Sequence, residues 1–122
     1  MANIEELDKA IGAHGLWKSR LKSAIESGKI DVDIATIRID NQCAFGRWLY
    51  GSTLSSVDKS SSHYKTVKEL HTEFHIIAAR VAEMAISGKK IGAEMMIASG
   101  GDYAKISSKL TQAMMDWKSV SK

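Results

Sequence analysis

SHYKTVKELHTEFHIIAARVAEMAISG, residues 62–88, is the stretch whose reading decides the fold. Tyr64, Val67, Leu70 or His71, Phe74, Ile77 or Ala78, Val81 and Met84 recur at intervals of three and four, the spacing of one helix face. Gly88 supplies a left-handed stop. The spacing predicts a helix from about Ser62 to Ser87, amphipathic, whose apolar stripe must be buried against other helices.

The same period extends to both sides. Downstream, Tyr103, Ile106, Leu110, Ala113, Trp117 and Val120 mark a helical region from about Ala93, with a kink or break expected at Gly100-Gly101. Upstream, Ile4, Leu7, Ile11, His14, Trp17, Leu21 and Ile25 line a helix from Ile4 to Ser27, so His14 lies on its buried side. Asn3 with Glu6 forms a capping box at its start, and Gly28 ends it. Between these helices, Ile30, Val32, Ile34, Ile37 and Ile39 partly alternate. A lone strand has nothing to pair with, so an irregular connection with a helical turn after Asp31 or Asp33 fits better. In DNQCAFGRWLYG (40–51), Asp40 or Asn41 can cap a short helix from Cys43 to Tyr50, closed by Gly51. STLSSVDKSSS (52–62) reads as a serine-rich loop. The expected fold is all-α: an antiparallel four-helix bundle with an extra short helix carrying the cysteine, residues 1–122 forming a single domain.

Composition agrees. The 122 residues include no proline, and 44% apolar with 25% charged residues is ordinary for a globular protein. Seventeen basic against 14 acidic side chains leave +3, too little to argue for nucleic acid or an anionic membrane. No apolar run approaches the ~20 residues of a membrane span, and the absence of a basic-then-apolar leader argues against export. A single cysteine cannot form an intrachain disulfide, so the cytoplasm is the expected compartment.

Chemistry concentrates in LHTEFH. His71 and His75, at i and i+4, share one helix face and can share a cation. The zincin pattern needs Glu directly after the first His, where this chain has Thr72; Glu73 points away from the pair, which disfavours peptidase chemistry. His63 precedes His71 by about 12 Å of helix axis, too far to join a metal whose bonds to nitrogen are about 2 Å. Cys43, near the start of a short helix, faces free N–H groups that favour thiolate; as a small buried hydrophobe it would be inert. One thiolate with three inward histidines makes four ligands, a complete tetrahedral zinc shell. Iron is less well served, because no carboxylate shares the inward stripe.

AIGAHGLWKSRL, DNQCAFGRWLYG and LHTEFH, in that order and with these gaps, resemble the chemoreceptor zinc-binding family, known as CZB domains, from Leu7 to about Leu110. The resemblance implies a three-His, one-Cys Zn2+ site formed by His14, Cys43, His71 and His75, with Trp17 and Trp48 packing beside it. It also implies a helical bundle, usually a homodimer, serving as a cytoplasmic regulatory domain on chemoreceptors or diguanylate cyclases. With neither attached, this chain is expected to act in trans or to be an excised domain. The function expected is a sensor of zinc availability, or of oxidation of the zinc-bound thiolate, that controls chemotaxis or cyclic-di-GMP output. A purely structural zinc-stabilised dimerisation domain is the alternative. An enzyme is not expected, since four protein ligands leave no open coordination position. Met84, Met95, Met96, Met114 and Met115 offer adaptable apolar surface suited to a dimer interface.

Overall fold

The computed structural model describes residues 4–30, 33–41 and 43–121. Among them are seven helices and no strand: α1 (Ile4–Ser27), α2 (Ile34–Arg38), α3 (Ala44–Tyr50), α4 (Ser56–Lys59), α5 (Ser62–Ile86), α6 (Lys90–Ile97) and α7 (Asp102–Val120). The protein is all-α.

In α5 the inward stripe resolves to His71 and Ala78, both fully buried, while Leu70 and Ile77 sit at its flanks. Its end is a Schellman turn: Ser87 caps, Gly88 takes φ +80°, and the Lys89 N–H reaches back to the Met84 carbonyl at 2.8 Å. In α1 the buried face is Leu7, Ala10, His14, Leu21, Ala24 and Ile25, and Glu5 and Glu6 in the first turn complement the helix dipole. Asn3 lies outside the described residues.

α1, α5, α6 and α7 pack against one another in every pairing, making the four-helix body. Tyr64 meets Trp117 and Phe74 meets Tyr103, so α7 runs antiparallel to α5; Lys118 pairs with Asp8 at 2.7 Å, so it also runs antiparallel to α1. α1 and α5 are instead parallel to each other, because the connection across residues 28–61 carries the chain back to its starting end. The expected break divides the last helical region into α6 and α7, and a Cβ on Gly101 would collide with the Met95 and Met96 carbonyls. On α7, Met114 is fully buried and Val120 is exposed, contrary to the expected stripe. After Trp117 the inward position passes to Ser121, four residues on, rather than to Val120.

The 28–61 connection also corrects the sequence reading in places. The helical turn does follow Asp33 as α2, although Asp33 makes no side-chain cap, and Asp31 lies outside the described residues. The serine-rich stretch contains α4, closed by a reciprocal Ser55–Asp58 capping box. Neither Asp40 nor Asn41 caps α3. The chain turns at those residues, and Cys43 itself is the N-cap in extended conformation, its sulfur accepting the Gly46 N–H at 3.3 Å. Gly51 closes α3 as expected, its N–H reaching the Trp48 carbonyl.

Candidate metal centre

Three elements converge on one point inside the bundle. α1 contributes His14, the start of α3 contributes Cys43, and α5 contributes His71 and His75. One nitrogen or sulfur of each lies within 4.8 Å of those of the other three. Cys43 Sγ is 3.4 Å from His71 Nε2 and 3.6 Å from His75 Nε2, and the two Nε2 atoms are 3.0 Å apart. Bonds of about 2.0–2.1 Å to nitrogen and about 2.3 Å to sulfur imply tetrahedral ligand–ligand separations of roughly 3.3–3.6 Å. These contacts fall near that range. His63, half-buried at the start of α5, is not part of the cluster, and Glu73 is exposed on the opposite side of the helix.

The hydrogen bonds orient the rings. His14 Nδ1–H donates to the Ala10 carbonyl one turn back, and His75 Nδ1–H donates to the Ile37 carbonyl, each at 2.8 Å. Carbonyls only accept, so each Nε2 keeps its lone pair and turns it toward the cluster. His14 Nε2 is buried without a hydrogen-bond partner. The His71 and His75 Nε2 atoms, 3.0 Å apart, can share one proton or a cation, and His71 Nδ1, like His14 Nε2, is buried without a partner. The donor set therefore suits a cation, and three imidazoles with one thiol are the ligand types zinc prefers.

Burial keeps the histidines neutral. It pulls His14 down to about 4, against the help of the Ala10 carbonyl, and His71 down to about 3, with His75 and His14 adding to the effect. His75 is lowered for the same reason. Neutral imidazole is the metal-binding form. Burial also pushes the Cys43 thiol up, and the Gly46 N–H only partly offsets it. The helix start alone therefore does not make a thiolate, contrary to the sequence reading; a bound cation would.

Cys43 is held by a clamp. Asp40 Oδ2 accepts from Tyr50 Oη at 2.5 Å and from Thr72 Oγ1 at 2.6 Å, tying the turn before the cysteine to both α3 and α5. Burial works to raise the Asp40 carboxyl, but the Thr72 and Tyr50 hydroxyls, with His71 and His75 nearby, together outweigh it and hold the group below its usual range. Burial and the Asp40 bond together push Tyr50 up to about 12. Thr72, in the position a zincin gives to its catalytic Glu, is thus a structural partner here. Gly46 is required by close approach: a Cβ there would collide with the Asp40 carbonyl oxygen and lie 2.8 and 2.9 Å from Asp40 C and Asn41 Cα. Around the cluster, Phe45 and Phe74 meet His14 in T-shaped contacts, while Trp48 stacks on Phe45 and meets Trp117 at a tilt. Trp48 is the buried aromatic expected beside the site. Trp17 is half-buried, lining a cleft with His14 and Cys43 under the Arg20 guanidinium, 4.1 Å above its ring.

An all-α bundle that gathers three histidines and a cysteine from a first helix, a short capped helix and an H-x-x-x-H helix has the make-up of a helical metal-binding domain. Residues 14–82, more than half of the chain, match the family model of the chemoreceptor zinc-binding domain, and the chain belongs to that family. The matched span runs from His14 to just beyond His75 and is narrower than the resemblance read from the sequence, leaving α6 and α7 outside it. No curated protein and no solved structure matches the chain.

Proposed function

We propose that His14, Cys43, His71 and His75 bind one zinc ion, and that the chain is a cytoplasmic sensory module responding to zinc availability or to oxidation of Cys43. The observation that carries this reading is the convergence of four ligand atoms within 4.8 Å. When bound, zinc would keep Cys43 as thiolate at neutral pH. Oxidation by a peroxide forms an S–O bond as the O–O bond breaks and releases hydroxide, leaving a sulfenic acid in place of the only anionic ligand. α3 has seven residues, too few to persist alone, and depends on burial of Phe45, Trp48 and Leu49, on the Tyr64–Leu49 hydrogen bond and on the Asp40 clamp. A change at Cys43 therefore loosens α3 first, and α1 and α5, with their own buried stripes, keep the bundle folded. The output read by a partner is chemotaxis or cyclic-di-GMP signalling. A homodimer is the proposed assembly, supported by Leu16, Ile91, Met95 and Met115, each more than half exposed. A monomeric mass by sedimentation at tens of micromolar would argue against it.

Elemental analysis of protein purified without added metal should find one zinc per chain. Cys43→Ala or His75→Ala should lower it sharply and His63→Ala should not; a full equivalent in a His14→Ala, Cys43→Ala double variant would remove the site. The near-complete burial of His14, His71 and His75 favours a second reading, a structural zinc that staples a dimerisation domain. Global unfolding on chelation would select that reading.

A further inference from the structure

We propose that the cleft between α1 and α3 is a selective port to the Cys43 sulfur, admitting small uncharged electrophiles and excluding bulky or charged ones. The proposal rests on the reading of Cys43 as the group that responds. The cleft is lined by Ala10, Ala13, His14, Trp17, Cys43 and Phe45 and has a volume of about 120 Å3. That is well above the roughly 10–15 Å3 a single water needs, so a reagent of a few heavy atoms can enter, and it is small beside the roughly 300 Å3 or more of pockets that take larger ligands. His14, 5% exposed and with Nε2 unpartnered, lines the same cleft, so the port leads to the cluster and not to an isolated cysteine. Among the described residues, His71 and His75 Nε2 lie 3.4 and 3.6 Å from the sulfur on the α5 side, and the Asp40 carbonyl oxygen lies 3.9 Å from it.

Size and charge are both selected. Ala10 and Ala13 leave the opening that a larger side chain on α1 would fill. Trp17 forms one wall and is pinned by Arg20. Glu6 and Lys9, which also line the cleft, pair with each other at 3.7 Å. Beyond them the walls are mostly alanine and aromatic carbon, with only the neutral His14 ring and the Cys43 thiol polar, so a carboxylate would lose its hydration without gaining a cationic partner.

Iodoacetamide and iodoacetate have the same reacting carbon and similar size and differ in charge. With either, the Sγ–C bond forms as the C–I bond breaks, iodide leaves with the electron pair, and the thiol proton goes to solvent. On chelator-treated folded protein, the ratio of the iodoacetamide rate to the iodoacetate rate should exceed the ratio in concentrated guanidinium by about tenfold or more. Ala13→Leu, at an exposed position of α1, should slow iodoacetamide in the folded protein by about tenfold and leave the denatured rate unchanged. Equal ratios in folded and denatured protein, or an Ala13→Leu variant with native helicity and unchanged folded rate, would overturn the port. Because the rates are read without metal, zinc content measured separately tests the zinc reading: selectivity without zinc binding retains the port and removes that reading, and zinc binding without selectivity does the reverse.

Discussion

Gly46→Ala is the smallest change that should disable the site without touching a ligand. The new methyl would collide with the backbone of Asp40 and Asn41, which cannot rotate away as a flexible side chain does. Overpacking of this kind costs about 1–3 kcal/mol, with the upper end expected against backbone. Moving the turn also strains the Tyr50 and Thr72 hydrogen bonds to the Asp40 carboxylate, worth about 1.5–3 kcal/mol each when charge-assisted. Against this, Ala gains about 1 kcal/mol over Gly in helix propensity. Collision less propensity leaves about 0–2 kcal/mol, and weakening of the two hydrogen bonds adds to it, so a loss of about 2 kcal/mol or more is expected in the metal-free protein, with zinc affinity falling about 10–100-fold as the sulfur shifts. Gly15→Ala is the control. It lies mid-helix on the exposed face of α1 with nothing within 4 Å of its Cβ position, so it should stabilise by up to about 1 kcal/mol. Urea unfolding in chelator measures the stabilities, and competition with a chromogenic chelator measures zinc. A Gly46→Ala protein as stable as the Gly15→Ala protein, with unchanged affinity, would refute the close-approach argument.

Metal-free protein should lose stability as pH falls from about 6.5 toward 4, because the unfolded chain binds protons at His14 and His71 that the folded chain refuses until about 4 and about 3. The slope should approach about 1.4 kcal/mol per pH unit for each histidine; a flat urea-derived stability over that window would show that the rings are not buried neutral. Stoichiometric oxidation of the zinc-loaded protein should cost hydrogen-exchange protection mainly between Asp40 and Gly51. Uniform loss across all helices would make zinc a staple, and no change would remove Cys43 as the trigger.

The long helices were legible because each repeats its apolar residues over several turns, as in Tyr64 to Val81, and because glycines sit where α1 and α5 stop. The four clustered side chains could be named in advance from different signals: His14 rides on such a stripe, His71 and His75 stand one turn apart, and Cys43 completes a four-ligand count in a short motif that resembles the chemoreceptor zinc-binding family. The details of the 28–61 connection were hidden. Asp40 looked like a helix cap because Asp, Asn and Ser are common there, and nothing local shows that its partners are Tyr50 and Thr72. The acceptor for His75 is the Ile37 carbonyl, a backbone group that no side-chain pattern announces. The Ser55–Asp58 box around α4 was readable, since S-x-x-D is a local signal, but the serines around it masked it.

Because α1 and α5 run the same way, His14 and His71 meet only after the chain from 15 to 70 has closed on itself. Loop-closure entropy grows slowly with length, about 0.6 kcal/mol per doubling, so the long span is tolerated at equilibrium. During synthesis the order matters more. At roughly 5–20 residues per second, His14 leaves the ribosome several seconds before His75. In that interval α1 and the cysteine segment can offer a metal at most two of the four side chains. The complete cluster forms only once α5 has emerged and docked, so a loaded site reports that α1, the cysteine segment and α5 have come together, and the metal would then bridge segments that synthesis had kept apart.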